Sequence, residues 1–255
     1  MSITYPIRPR APVRALVRRH GMVATLALAI TLSCFLLAPW PGWACGWAGD
    51  GDNEEVDADV IGADGRPVSQ SSQSAVDPVA LTRTGDRYRK GMGVARDAAE
   101  AALWYRRAAE RGHAAAQNNL AALYEAGEGV AQNVVEAARW FRLAAMQGEP
   151  HAQHSLGILY RDGHGVGRDP AASAKWIGAA ARQGHRGAFV DLGVLYWEGL
   201  GVTRDDTQAY MWWALAAASG DKMGTRLRAV AEKTMVPDKI AEAKNQARQW
   251  KPVTQ

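Results

Sequence analysis

Residues 156–185 read LGILYRDGHGVGRDPAASAKWIGAAARQGH, and the Gly-x-Gly-Val turn inside this stretch recurs along the chain in steps of 36 residues. The four copies occupy residues 91–94, 127–130, 163–166 and 199–202. A tryptophan, an Ala-Ala pair and a closing glycine follow each copy at constant spacing. A unit of this length cannot close a core alone, so the fixed period predicts a stacked helical solenoid.

Each unit carries two amphipathic helices. In the second unit Ala116, Leu120 and Leu123 fall on one face of a helix, which we call helix A. After the glycine turn, Ala137 and Phe141 begin the apolar face of a second helix, helix B. The unit is therefore a helix-turn-helix, and the chain is predicted to be all-α.

Helix B has a predicted start and a predicted packing layer. Asn133 stands at the N-cap position with Glu136 three residues on, as in a capping box. The closing glycine predicts a left-handed helix end. In the other units the cap position is held by Asp97, Asp169 and Asp205. Large rings beside small residues predict an interdigitated packing layer. Its tryptophans are Trp104, Trp140, Trp176 and Trp212, and the alanines beside them are Ala108, Ala144, Ala180 and Ala216.

The repeat resembles the Sel-like repeat, a relative of the tetratricopeptide repeat. In the third unit the matching residues are Leu156-Gly157-Ile158-Leu159-Tyr160, Gly163-x-Gly165-Val166, Asp169, Trp176, Ala180-Ala181 and Gly184-His185. The resemblance implies a right-handed α/α superhelical solenoid of four repeats over residues 77–220. It also implies a C-terminal helical cap over residues 221–255, with helices at 223–233 and 237–250.

The amino-terminal residues predict export. Five arginines and no acidic residue precede an apolar run at residues 21–38, and Gly42-Trp43-Ala44 offers a cleavage site. We favour a cleaved signal peptide over residues 1–44. The apolar run is 18 residues long, which also permits an inner-membrane anchor. Lipidation of Cys45 is a minority alternative. Residues 45–76 are predicted to form a disordered acidic linker. The predicted location is the periplasm or the cell surface.

The resemblance also implies a function. Sel-like repeat proteins act as adaptors that present a concave surface to another protein, and most are not enzymes. In the related tetratricopeptide arrays, that surface uses the helix A positions two before, two after and five after the repeat leucine. Here these positions hold Asn118, Ala122 and Glu125; His154, Ile158 and Arg161; and Val190, Val194 and Trp197, with Thr82, Asp86 and Arg89 in the first helix.

Trp197 is the sharpest departure along that surface, because the equivalent residues are Glu125 and Arg161. One hypothesis is that Trp197, Val190 and Val194 bind an apolar segment of the partner, since aromatic anchors dominate interface energetics. The alternative is that Trp197 packs beneath the terminal helices. The sequence leaves both open.

The main alternative to an adaptor is an envelope hydrolase or β-lactamase-like enzyme. Ser219 and Lys222 match Ser-x-x-Lys, the nucleophile motif of penicillin-recognising enzymes. Against this, Gly220 is the closing glycine of the repeat, Met235 follows Lys233-Thr234 where that motif needs glycine, and no Ser-Asp-Asn is present. We therefore expect no catalytic residues.

Other chemistries have weak support. His151 and His154 lie on one helix face and suggest a metal pair with Asp162 and His164, but no cluster completes the site. His113 lies two units before His185, so both are interpreted as repeat-consensus residues without a further role. The surface arginines have the pattern of a solvated face rather than a nucleic-acid site. We expect a monomer that binds another protein or peptide segment, with no cofactor, metal or nucleic acid.

Overall fold

The computed structural model describes residues 77–253, which form ten α-helices and no strands within that range. The predicted leader or anchor at 1–44 and the predicted linker up to residue 76 lie outside the described residues. No helix within 77–253 is long and apolar enough to cross a membrane. In chain order the helices are α1 (Pro78–Lys90), α2 (Ala98–Glu110), α3 (Ala114–Ala126), α4 (Val134–Met146), α5 (Pro150–Asp162), α6 (Pro170–Arg182), α7 (Arg186–Glu198), α8 (Asp206–Ala218), α9 (Lys222–Glu232) and α10 (Pro237–Gln249).

Each helix packs mainly on its neighbours in sequence, as expected for a solenoid. The A helices are α1, α3, α5 and α7, the B helices are α2, α4, α6 and α8, and α9 and α10 follow as the cap. The predicted α-solenoid of helical repeats is confirmed. The two cap helices begin and end within one residue of their predicted limits.

The B helices start where predicted. The Asn133 side chain accepts hydrogen bonds from the amides of Val135 and Glu136, a cap that contributes about 1 kcal/mol. The second half of the predicted capping box is different: the amide of Asn133 donates to the carbonyl of Tyr124, 2.9 Å away. The main chain of helix A therefore takes the role that the Glu136 side chain has in a capping box. The other caps, Asp97, Asp169 and Asp205, bond in the same way to Tyr88, Tyr160 and Tyr196.

Packing inside a repeat rests on a residue next to the repeat tryptophan. Phe141 is 1% exposed and packs with Ala121 in one buried cluster, whereas Trp140 is only partly buried. The predicted layer of tryptophans is thus half right, since Trp104 and Trp212 are buried but Trp140 and Trp176 are not. In every repeat the large B residue lies by a small A residue; the pairs are Tyr105 with Gly85, Phe141 with Ala121, Ile177 with Gly157 and Trp213 with Gly193.

Neighbouring repeats touch at the glycine turn. A Cβ added at Gly129 would overlap the main chain of Ala98 and Ala99 at the start of α2, in the preceding repeat. Gly165 and Gly201 lie equally close to the starts of α4 and α6. The second glycine of the turn is therefore required by the stacking of repeats, in addition to its left-handed backbone.

Polar bonds also link neighbouring repeats. The Arg106 guanidinium donates to the Tyr124 hydroxyl at 2.6 Å, and Arg142 donates to Tyr160 at 2.8 Å. At the third junction Gly178 replaces the arginine opposite Tyr196. A second link is made by the buried glutamines of two A helices, which donate to main-chain carbonyls near the end of the preceding B helix: Gln117 to Ala109 and Gln153 to Ala145. Within each of these repeats, the glutamine after the B helix donates to that buried glutamine, Gln147 to Gln117 and Gln183 to Gln153.

The carboxyl-terminal tail packs on the third and fourth repeats. Phe189 replaces the buried glutamine in α7, and its ring lies 5.4 Å from that of Trp250 and 5.7 Å from that of Trp212. Beyond Trp250, the amide of Val253 donates to the carbonyl of Arg182 at the end of α6. The tail therefore packs across the junction of the third and fourth repeats, whereas α9 packs on α8 in the way that each A helix packs on the preceding B helix.

Candidate partner-binding surface

The predicted partner-binding positions form one stripe along the A helices, which we call the A-helix face. In α3 the inward residues Leu120 and Ala121 are fully buried, whereas Asn118 and Ala122 are half-buried and Glu125 is exposed. In α5 Leu156 and Gly157 are likewise buried, while His154, Ile158 and Arg161 are half-buried. The structure therefore places seven of the predicted residues on the half-buried or exposed side of the A helices, whereas Trp197 is buried; the seven are Asn118, Glu125, His154, Ile158, Arg161, Val190 and Val194.

A residue absent from our prediction joins two repeats across this face. Asp191 of α7 lies 2.8 Å from His154 Nε2 through its Oδ2 and accepts from Arg161 Nη1 through its Oδ1 at 2.9 Å. Arg161 also donates to Asp162 at 2.9 Å. The bond to Asp162, together with the Asp191 carboxylate, raises the pKa of the Arg161 guanidinium. This pairing fixes the Arg161 side chain in the middle of the face.

Asp191 was missed because its position carries no repeat signal. The equivalent residues, one before the repeat leucine, are Arg83, Asn119 and Ser155. Only the combination of an acid here with a histidine and an arginine one repeat earlier could have indicated the contact.

Side chains of α1, at the amino-terminal end of the face, also form hydrogen bonds within the array. The Tyr105 hydroxyl donates to Asp86 at 2.6 Å. Burial has the larger effect on the pKa of this hydroxyl and the bond to Asp86 the smaller one, and both raise it. Thr82 and His113 share a hydrogen bond of 2.7 Å. Glu125 is more accessible to solvent than Asp86 and Thr82. Partial desolvation raises the pKa of its carboxyl, and His164 acts in the opposite direction.

Trp197 is 8% exposed. Its ring lies 5.4 Å from the ring of Trp213, and the Arg204 guanidinium lies 5.4 Å above it. The ring therefore packs within its own repeat, against α8 and the turn before it, and little of it is open to a partner. Val190 and Val194 remain half-buried on the face, so they form its apolar end.

The residues suggested for a catalytic nucleophile or a metal pair form bonds within turns and between helices. The Ser219 hydroxyl donates to the carbonyl of Ala216 at 2.7 Å, and Asp221 caps α9. Ser219 therefore belongs to the turn that joins α8 to α9, and Lys222 is the first residue of α9. His154 pairs with Asp191, and His151 with His185 at 3.0 Å. Among residues 77–253 no three or more His, Cys, Asp or Glu are grouped so that they could hold a metal ion.

The comparisons agree with this architecture. The Sel1 repeat model matches residues 78–113, 114–149, 150–185 and 190–221, more than half of the chain. The chain belongs to the Sel1 repeat family. Sel1 repeats generally mediate protein–protein interaction, and Sel1 repeat proteins are typically non-catalytic adaptors.

Two solved structures are similar to this Sel1 repeat protein. A Sel1 repeat protein from Oxalobacter formigenes is 32% identical, with 71% of this chain and 74% of that chain covered and a TM-score of 0.61. A protective antigen with an SLR fold, present in uropathogenic Escherichia coli strains, is 31% identical, with 70% of this chain and 46% of that chain covered and a TM-score of 0.49. No curated protein matches the sequence significantly.

Proposed function

We propose that this Sel1 repeat protein is a non-enzymatic scaffold of the bacterial envelope that binds a partner polypeptide along the A-helix face. The observation that carries the proposal is the stripe of accessible side chains on successive A helices, held together across repeats by Asp191. A rigid row of side chains at a fixed step suits an extended or helical segment of another protein.

The polarity of the face specifies the partner segment further. Asn118, Glu125 and Arg161 give its first part hydrogen-bonding and charged groups, whereas Val190 and Val194 make the end at α7 apolar. The bound segment should therefore present polar residues toward α3 and α5 and an aliphatic residue toward α7. Since Trp197 is largely buried, its part would be to support Val194 rather than to anchor the partner directly.

Export is a second part of the proposal. The basic start, the apolar run at 21–38 and the small residues before Cys45 support a location in the periplasm or at the cell surface. Sequencing the amino terminus of the mature protein tests this part: a start near residue 45 means cleavage, whereas an intact terminus in the membrane fraction means a tether. A full-length protein in the cytoplasmic fraction would refute export.

A photo-crosslinking amino acid at Ile158, in the centre of the face, tests the binding surface. The matched control carries the same group at Arg139, which lies on the outer side of α4 with a highly exposed side chain. We expect an adduct from position 158 and none of the same mass from 139.

The partner identified from that adduct is then purified, and its affinity is measured for wild type, Ile158→Asp and Arg139→Ala. A charge at 158 should weaken binding by about tenfold or more, because it places an unpaired carboxylate in the interface, while Arg139→Ala should bind like wild type. Equal loss in both variants, or no loss in Ile158→Asp, would refute the A-helix face as the site.

A further inference from the structure

Three histidines meet at the junction between the third and fourth repeats. His151 and His154 lie in the first two turns of α5, and His185 occupies the N-cap position of α7. The His151 and His185 ring centroids are 4.6 Å apart, and those of His154 and His185 are 4.7 Å apart. His185 therefore lies between two other imidazoles.

The bonding of these rings depends on their protonation. The Nε2 of His185 and the Nδ1 of His151 are 3.0 Å apart, a hydrogen bond that needs a hydrogen on one nitrogen and a lone pair on the other. The Nδ1 of His185 is buried without a hydrogen-bond partner. Adding a proton there would place a charged donor where no acceptor is available.

His185 also differs from the acidic residues at the same position before α5 and α9. Glu149 and Asp221 cap the helices that follow them through their side chains, whereas His185, like His113, makes no such bond. The imidazole is instead turned into the junction. The closing Gly184 next to it lies against Pro252 and Trp250 of the tail, so a movement of His185 would affect the tail as well.

We propose that this histidine cluster is a pH-sensitive latch that holds the third and fourth repeats together near neutral pH and loosens on acidification. A first proton can be shared between His151 and His185, but a second leaves two donors facing each other and two like charges in contact. The repulsion would push His185 out of the junction and release α7 and the tail.

The other charged groups around the latch have defined places. From α5, Glu149 caps the helix end next to His151, and Arg161 and Asp162 lie beyond His154. From α7, Asp191 binds His154 and opposes repulsion, while Arg186 lines the same surface depression as His151 and His185. In the tail, Lys251 is exposed. Asp191 is thus the only acid of this set that contacts one of the three imidazoles through its side chain.

The pKa of His185 supports the direction of the effect. Burial, and then the neighbouring imidazoles of His154 and His151, lower it from 6.5 to about 4, although Asp191 acts in the opposite direction. A histidine with a lowered pKa in the folded state binds its proton more readily once the junction opens. The stabilisation is therefore complete above about pH 6.5 and is lost as the pH falls toward 4, which at pH 5.5 favours the open junction by about tenfold.

Amide hydrogen exchange at pH 7.5 and 5.5, corrected for the pH dependence of the intrinsic exchange rate, tests the latch on the full chain. In wild type, opening of residues 183–192 should increase about tenfold at the lower pH. In His185→Gln the increase should be less than about twofold, because no titrating group remains at the centre of the cluster. His151→Asn, which removes one of the two neighbouring imidazoles, should give an intermediate increase.

The matched control is His113→Gln. His113 takes the same N-cap position two repeats earlier, where it pairs with Thr82 instead of another imidazole, so this variant should respond to acid as wild type does. An equal acid response in wild type, His185→Gln and His151→Asn would refute the latch. So would an increase in opening that is equally large at residues 113–120, because that result means uniform acid destabilisation. Partner binding is not needed for either readout, so the inference stands independently of the proposed function.

Discussion

At the scale of single residues, the close approach of Gly129 to α2 explains why the turn keeps its second glycine. Gly93 has the same left-handed backbone, with φ of 75° against 69° for Gly129. It differs in having no repeat before it, since the nearest atom to an added Cβ is the end of the Arg87 side chain, 3.5 Å away. The two positions therefore separate backbone strain from inter-repeat contact.

We predict that Gly129→Ala destabilises the protein clearly more than Gly93→Ala. Both variants carry the cost of a left-handed alanine, about 1 kcal/mol, but only Gly129→Ala also forces α2 and the turn apart, for a total of about 3 kcal/mol. Urea unfolding followed by circular dichroism measures the difference. Equal midpoints for the two variants would mean that backbone conformation alone explains why glycine recurs at this position of the turn.

At the scale of elements, each pair of helices is joined by one large residue on the B helix and one small residue on the A helix. In the fourth repeat Trp213 lies against Gly193, whereas in the second repeat the smaller Phe141 packs with the larger Ala121. Trp213 also donates from its indole to the carbonyl of Val190 at 3.3 Å. The Trp213 ring therefore fits a glycine at position 193, and the second repeat shows that a phenylalanine and an alanine fill the same place.

From this fit we predict a strong coupling between positions 193 and 213. Gly193→Ala should cost about 2 kcal/mol, because the added methyl group overlaps the Trp213 ring. In the double variant Gly193→Ala with Trp213→Phe, the pair becomes the one found in the second repeat, so the total cost should be at least about 1 kcal/mol below the sum of the two single costs. A double-mutant cycle of unfolding free energies gives this value, and simple additivity would contradict the fit.

Helices and caps were predictable from sequence because each leaves a local signal. The spacing of Ala116, Leu120 and Leu123 indicates the buried face of α3, and Asn133 marks the start of α4. Which aromatic of the Trp140–Phe141 pair enters the core was not predictable, because both lie on the apolar side. That choice depends on how neighbouring helices cross, and sequence spacing does not give the crossing.

The surface was predictable in position but not in detail. The repeat register located the A-helix face, yet the burial of Trp197 requires Trp213 of α8 and Arg204 of the turn, which only the fold brings together. In the same way, the role of Asp191 depends on two side chains 30 or more residues away in sequence. Contacts that occur once in an array are invisible to a periodic pattern.

At the scale of the whole molecule, the tail takes the place of a polar link in the last repeat. Gln183 bonds to Gln153 in the third repeat, but the equivalent pair in the fourth is Ser219 and Phe189. Trp250 packs against Phe189 and Trp212 at that place. An aromatic contact thus replaces a polar link in this repeat.

We predict that Trp250→Ala destabilises the end of the array and leaves its beginning unchanged. Because Trp250 is partly exposed, its loss should cost about 2 kcal/mol, less than for a fully buried tryptophan. Hydrogen exchange should become faster in α7, α8 and α10 but not in α2, since repeats interact mainly with their neighbours. Val253→Ala is the control, because its main-chain bond to Arg182 does not need the side chain. Uniform acceleration along all ten described helices would contradict a local role for the tail.

The arginine–tyrosine links give the second repeat a particular property: its two edges are complementary. Tyr124 accepts from the arginine before it, and Arg142 donates to the tyrosine after it. A tandem duplication of residues 114–149 would therefore join its own copy through bonds of the same kind, with Gln117 of the copy reaching the carbonyl of Ala145 as Gln153 does. The third repeat lacks this self-compatibility, because Gly178 offers no side chain to a following copy of Tyr160. Genetic lengthening of the protein would accordingly start from the second repeat.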